Sequence, residues 1–280
     1  MHVPSLVVFL VLALGLPWLA TLPLYMDGGL RNPATTLLII AMQTAPTIGA
    51  LVVTFGVLRP AHSGRYLGLV PVRPWRRVLG YSLLGFVGAL VGSVLAIVVG
   101  SLAGVTPLAP APGALSQIAL VPVLTVGLGI TLIGEEIGWR GFLLPALQPL
   151  GTVPSLLLNG IVWGLWHTPL LLLGYNFGTT SPVSVPLMMV GTTLIGTMLA
   201  WLRFRSGSIW AGVVAHGTLN ASASLLLIAL VPKTPDVTAT VLGWAGWIVL
   251  AVVIGVVAAV GGFRGFRIPG PVTQDRRDAS

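Results

Sequence analysis

Long apolar stretches recur along the 280-residue chain, and short connectors rich in glycine, proline and charged residues separate them. A helix needs about 20 mostly apolar residues to cross the hydrocarbon core of a bilayer. Eight stretches are about that long, at residues 5–26, 35–58, 78–104, 117–138, 155–174, 184–202, 208–230 and 240–263. The pattern therefore predicts an all-α bundle of about eight transmembrane helices.

The ends of these stretches refine the prediction. The fourth is expected to continue through the apolar residues 141–147, with Pro145 as a kink or a stop. The first lacks the basic start of a signal peptide and is longer than its apolar region, so it is predicted to be a retained span. Residues 1–268 are then one transmembrane domain with a motif-bearing core at 117–230, and residues 269–280 are expected to form a disordered cytoplasmic tail.

Composition supports the same class of protein. Only 7% of the residues are charged and 55% are hydrophobic, whereas a soluble domain carries about 25% charged residues. The net charge of +8 is spread over short connectors rather than gathered on one soluble face, which argues against nucleic-acid binding. The sequence contains no cysteine, which leaves no disulfide, thiolate ligand or cysteine nucleophile.

Basic residues are distributed unequally between the two sides of the predicted bundle. With both termini in the cytoplasm, the outer connectors carry only Arg31 and Lys233 of the 14 basic residues. The other twelve fall on the inner side: Arg59, Arg65, Arg73, Arg76, Arg77, Arg140, Arg203, Arg205, Arg264, Arg267, Arg276 and Arg277. The positive-inside rule then predicts a multi-pass cell-membrane protein with both ends cytoplasmic. Thirteen arginines against one lysine also suggest a GC-rich genome and a bacterial source.

Few ionisable residues fall within the apolar stretches. Glu135 and Glu136 are adjacent in the fourth, His167 lies in the fifth, and His216 lies in the seventh with Asn220 one turn later. Burying such groups in a bilayer costs about 2.5–3.5 kcal/mol each, which makes them functional candidates. The helical rise places all of them about 13–20 Å from the inner ends of their helices. We therefore expect the three helices to bring these groups together.

Each group also has a purely structural alternative. Glu136 and Arg140 have the i,i+4 spacing of an ion pair on one helix. A buried histidine could bond a backbone carbonyl, and His216 with Asn220 could bond a neighbouring helix. Trp163 is expected to pack against its neighbours rather than to bind a ligand. The sequence leaves both interpretations open.

Carboxylates and histidines in a half-dry cavity suit the activation of water for hydrolysis. A buried carboxylate can act as a general base, and histidine and asparagine can donate to a developing oxyanion. Other intramembrane protease chemistries lack their residues here. No histidine is followed by glutamate as in a zinc His-Glu-x-x-His helix, no aspartate lies in a predicted span, and no Gly-x-Ser-Gly is present.

Three motifs on separate predicted spans resemble the CPBP family of intramembrane proteases, which includes CAAX prenyl endopeptidases of the Rce1 type and bacterial Abi-type proteins. The motifs are Glu135-Glu136-x-x-x-Arg140, Trp163-x-x-x-His167 and His216-x-x-x-Asn220. The second motif of the family usually begins with phenylalanine, where this chain has Trp163.

The resemblance implies a role for each motif residue. Glu135 and His167 would activate the attacking water, and His216 and Asn220 would stabilise the oxyanion or hold the centre. Glu136 and Arg140, with Trp163, would support the site. The resemblance also allows a divalent metal such as zinc, held by Glu135, His167 and His216, although a glutamate mechanism without a tightly bound metal fits the family equally.

The expected substrate is a membrane-embedded or lipid-anchored peptide reached from the bilayer. A bacterial source would make it different from a prenylated CAAX protein. Two other functions stay open at this point. The chain could be a non-catalytic bacteriocin-immunity or scaffold protein, or a proton-coupled transporter that uses the same buried groups as a relay.

Overall fold

The computed structural model describes residues 2–231 and 241–268, and all of its long elements are helices. They are α1 Val3–Met26, α2 Thr35–Leu58, α3 Trp75–Leu102, α4 Val121–Leu150, α5 Thr152–Trp166, α6 Ser184–Ser206, α7 Trp210–Leu230 and α8 Trp244–Ala259. The predicted all-α bundle is confirmed. Six of these helices are long and apolar enough to cross a membrane, and α5 and α8 are shorter apolar helices. The predicted tail at 269–280 lies outside the described residues.

Successive helices are antiparallel. Contacts between segments that this arrangement places at the same end of the bundle show it. At the predicted inner end, the Val72 N–H donates to the Gly207 carbonyl at 3.2 Å. At the same end, the Ile268 N–H donates to Oε1 of Gln148 at 3.4 Å. At the opposite end, the hydroxyl of Tyr25 donates to the Pro169 carbonyl at 2.5 Å.

Helix α7 lies at the centre of the bundle, while α1 and α3 face outward. Half of the most apolar window of α7 is buried, against 28% of that window in α1 and in α3. Small residues allow close helix packing inside, as is common in membrane proteins. A Cβ at Gly160 of α5 would lie only 2.3 Å from the Thr193 Cα of α6.

Helix α4 carries the two adjacent glutamates and changes its winding directly after them. The segment Ile137–Leu143 is π-helical and completely buried, and π-turns of this kind are frequent at functional sites. The predicted extension of this helix is confirmed, since it continues to Leu150. Pro145 therefore does not stop the helix.

Two predicted positions need correction. Arg140 was assigned to the inner connectors, but its side chain is 0% exposed inside α4, because its charge is paired within the helix with Glu136. The fifth apolar stretch was expected to be helical to residue 174, but α5 ends at Trp166 and a separate short helix spans Thr168–Leu171. Pro169 has no N–H with which to continue the hydrogen-bond ladder.

Candidate functional site

Glu136 joins α4 to α7 through a buried network of charges. Its Oε1 lies 3.0 Å from Nη1 of Arg140 and 3.0 Å from Nδ1 of His216. The i,i+4 ion pair that the spacing suggested is therefore present. Gly212 allows α7 to approach this closely, since a Cβ there would lie 2.8 Å from Glu136 Oε2. A carboxylate only accepts hydrogen bonds, so His216 donates through Nδ1.

Glu135 points to a different partner. Its side chain is 3% exposed, and its Oε2 accepts a hydrogen bond from the indole N–H of Trp163 at 2.9 Å. The guanidinium carbon of Arg140 lies 4.1 Å from the centre of the Trp163 ring, a cation–π contact that is strengthened by exclusion of water. The ring of His216 meets the same indole edge-on, with centroids 5.1 Å apart.

His167 lies at the helix break after α5, half-buried rather than in the middle of a continuous span. Its Nδ1 is 2.9 Å from the carbonyl oxygen of Trp163. A carbonyl oxygen accepts only, so Nδ1 carries the proton and Nε2 of the neutral ring keeps its lone pair. This is the backbone contact of a structural histidine, and it is also the contact that orients a histidine to act through Nε2.

Asn220 is the one candidate that no side-chain hydrogen bond joins to the others. It lies one turn after His216 on α7 and is half-buried. Among the described residues its side-chain amide has no hydrogen-bond partner, although its backbone carbonyl accepts from Ser224. Hydrogen bonds join the other six candidates in two groups, Glu136 with Arg140 and His216, and Trp163 with Glu135 and His167. The contacts of the Trp163 ring with Arg140 and His216 connect the two groups.

The suggested metal site does not fit this arrangement. No three side chains of the described histidines, aspartates and glutamates are placed to hold a metal ion together. Glu135 and Glu136 each have one oxygen engaged by a protein donor. We therefore derive no chemical step through a metal, and metal binding by Glu135, His167 and His216 stays a prediction from the resemblance.

Two features of the site were missed from the sequence. Trp163 was expected to pack and to support the site, but the hydrogen bond from its N–H to Glu135 was not anticipated. The signal was the tryptophan itself, because phenylalanine at that motif position has no donor. Tyr175, in the connector after α5, was not considered. Burial raises the pKa of its phenol and the Glu135 carboxylate raises it further, which places Tyr175 within electrostatic reach of the site.

The fold and this buried centre define a multi-pass helical membrane protein with a glutamate–histidine site. Residues 117–222 match the family model described as "Type II CAAX prenyl endopeptidase Rce1-like". The matched range contains all three motifs, so the resemblance to the CPBP family is confirmed over this part of the chain. At family level the match supports an intramembrane endopeptidase. A comparison with curated proteins found no match.

Proposed function

We propose that this protein is an intramembrane endopeptidase in which Glu135 and His167 activate a water molecule for peptide-bond hydrolysis. One observation carries the proposal. Both residues of the expected catalytic pair bind Trp163: its indole N–H binds Glu135, and its carbonyl oxygen binds His167. A shared anchor keeps the separation of the two groups constant, which is what a reaction between positioned groups requires.

The proposed reaction needs only groups of this chain, water and the peptide. The water oxygen attacks the carbonyl carbon of the scissile bond while Glu135 takes one of its protons, and Nε2 of His167 accepts a hydrogen bond from the same water. Glu135 then passes that proton to the leaving nitrogen as the C–N bond breaks, giving an amine and a carboxylic acid. Asn220, whose side-chain amide binds no described residue, would donate to the oxyanion, and His216 would do so through Nε2 when its ring carries both protons.

Glu136 and Arg140 would act as support and not touch the peptide. Their ion pair neutralises two buried charges at once, which avoids the several kcal/mol that an unpaired buried ion costs. Glu136 also fixes the orientation of His216. Arg140 in turn lies over the Trp163 ring. The supporting pair thus holds both sides of the proposed centre.

We further propose a substrate that reaches the site from the bilayer, a lipid-anchored or membrane-embedded peptide. The buried position of Glu135 and His216 in apolar helices supports it. The proposed orientation keeps both termini in the cytoplasm. Without Arg140 and Arg203, which are both buried within helices, ten of the twelve inner basic residues remain against two outer ones. The asymmetry on which the orientation depends therefore persists.

Cleavage by the reconstituted full-length protein tests the proposal. Peptides carrying an isoprenyl group, peptides carrying an acyl group, and unmodified peptides of the same sequence would be supplied in proteoliposomes. We expect cleavage of a lipid-bearing peptide, and its loss in Glu135→Ala, His167→Ala and His216→Ala. Asp27→Ala is the matched control, because it removes an exposed carboxylate far along the chain from the motifs.

Three outcomes would contradict the proposal. Cleavage that persists in all three variants would place the chemistry elsewhere. Binding of the peptide by the wild type without cleavage would favour a non-catalytic immunity or scaffold protein. Proton flux without cleavage would favour a transporter. Metal analysis of the same preparation, with and without a chelator, tests separately the divalent metal that the family resemblance allows.

A further inference from the structure

Three tryptophans belong to the same buried core, and their indole N–H groups differ in one respect. Trp139, Trp163 and Trp166 are each no more than 3% exposed. Within the described part of the chain, the N–H groups of Trp139 and Trp166 have no hydrogen-bond partner. Only the N–H of Trp163 has an acceptor, and that acceptor is Glu135. Packing alone therefore does not explain the orientation of Trp163.

Trp163 is held in that orientation from several sides. The guanidinium of Arg140 covers one face of its ring at 4.1 Å. The rings of His216 and His167 approach its indole, with centroid distances of 5.1 Å and 6.0 Å. Because these contacts already restrict the rotation of the Trp163 side chain, little of its rotational freedom is lost when it binds Glu135. Trp163 can therefore hold the Glu135 carboxylate in one orientation.

The hydrogen bond has a consequence for the two oxygens of Glu135. Oε2 accepts the indole N–H, whereas Oε1 receives no hydrogen bond from a described residue. The carboxylate is thereby oriented, and Oε1 is the oxygen available to take a proton from water. On the same residue, the Trp163 carbonyl holds the proton of His167 on Nδ1, which leaves Nε2 free.

We propose that the indole N–H of Trp163 is a positioning group for Glu135, which it orients so that Oε1 receives the proton of the attacking water. The inference rests on the proposed endopeptidase function. It concerns a feature of this chain rather than of the motif, because the phenylalanine usual at this position cannot donate. Trp163 acts through Glu135 and needs no contact with the peptide.

Trp163→Phe is the direct test, since it keeps an aromatic ring under Arg140 and removes the N–H. We expect kcat to fall by about 10- to 100-fold, the range for loss of a hydrogen bond to a charged group. KM should stay within about threefold, because the peptide is not contacted.

Trp139→Phe is the matched control. It is the same substitution at an equally buried tryptophan, but it removes an N–H that has no partner. We expect its kcat and KM to remain within about threefold of the wild type. Replacement of Trp163 by benzothienyl-alanine, which has sulfur in place of the N–H, keeps the full bicyclic ring and serves if Trp163→Phe does not fold.

The outcomes separate this inference from the function on which it rests. If Glu135→Ala is inactive and Trp163→Phe matches Trp139→Phe in kcat and KM, the positioning role is wrong and the proposed function stands. If Glu135→Ala retains the wild-type rate, the proposed function itself fails. A lower kcat with a KM unchanged within about threefold in the folded variant that lacks the Trp163 N–H, against an unchanged Trp139→Phe control, supports the positioning role.

Discussion

The stability of the protein should depend far more on Glu136 than on Glu135, the two adjacent glutamates of α4, when each is replaced by glutamine. Glu136→Gln removes a negative charge and keeps the size of the side chain. Arg140, 0% exposed, would then keep a positive charge without its ion-pair partner, which lies 3.0 Å away. His216 would lose its charged acceptor as well. Glu135→Gln removes no ion pair, because the partner of Glu135 is the neutral Trp163.

The expected magnitudes follow from these contacts. Breaking a buried ion pair by removal of one partner costs about 3–5 kcal/mol. For a chain of this size about 1 kcal/mol corresponds to a shift of about 2–4 °C in Tm. Glu136→Gln should therefore lower Tm by about 6–20 °C. Glu135→Gln should lower stability by about 1 kcal/mol or less, because an amide oxygen can still accept the indole N–H.

Intrinsic tryptophan fluorescence measures this difference, since the chain has nine tryptophans. Thermal unfolding of both variants and the wild type would be compared in one detergent at one heating rate, because membrane proteins often unfold irreversibly. Peptide cleavage would be measured on the same samples below the transition. We expect Glu135→Gln to be folded and inactive. Equal losses of stability in the two variants, or no loss in Glu136→Gln, would refute the assignment of the two carboxylates.

Two further predictions concern stability away from the carboxylates. Gly160→Ala should destabilise the bundle, because its Cβ would lie 2.3 Å from a backbone atom of α6. Gly80→Ala on α3 is the control: its Cβ would meet nothing within 4 Å, so the substitution should be neutral or slightly stabilising. Equal Tm values for the two variants would contradict this packing. Tyr66→Phe should be as stable as the wild type or about 1 kcal/mol more stable at neutral pH, because the buried Tyr66 hydroxyl has no hydrogen-bond partner. Burial raises the pKa of Tyr66, so the folded state keeps the phenol protonated while the unfolded state ionises at pH about 10. Above that pH the wild type should therefore lose stability by an increment that Tyr66→Phe lacks. Denaturant midpoints of the two proteins that run parallel from pH 8 to about 11 would contradict this prediction.

The bundle itself was predictable from local properties of the sequence. Apolar stretches long enough to cross a bilayer are continuous in the chain, so α1 to α4, α6 and α7 could be anticipated within a few residues. The Glu136–Arg140 pair was predictable for the same reason, because its i,i+4 spacing places both side chains on one face of α4.

The contacts that depend on three-dimensional packing were not predictable. The bond between Trp163 and Glu135 joins residues 28 positions apart on two helices, and no local spacing encodes it. The break before His167 arises where Pro169 interrupts the ladder inside a stretch that is apolar throughout. Arg140 was expected near an interface because position along the chain does not reveal that a charge is paired.

The account is tested most directly by the origin of the oxygen in the cleaved peptide. Wild-type protein and Glu135→Ala would be reconstituted in heavy-oxygen water with a lipid-bearing peptide, and the products analysed by mass spectrometry. We predict one labelled oxygen in the new carboxylate for the wild type after a single turnover, and no product above background for Glu135→Ala. Product formed by Glu135→Ala at the wild-type rate, or a wild-type product without label, would contradict water activation by Glu135.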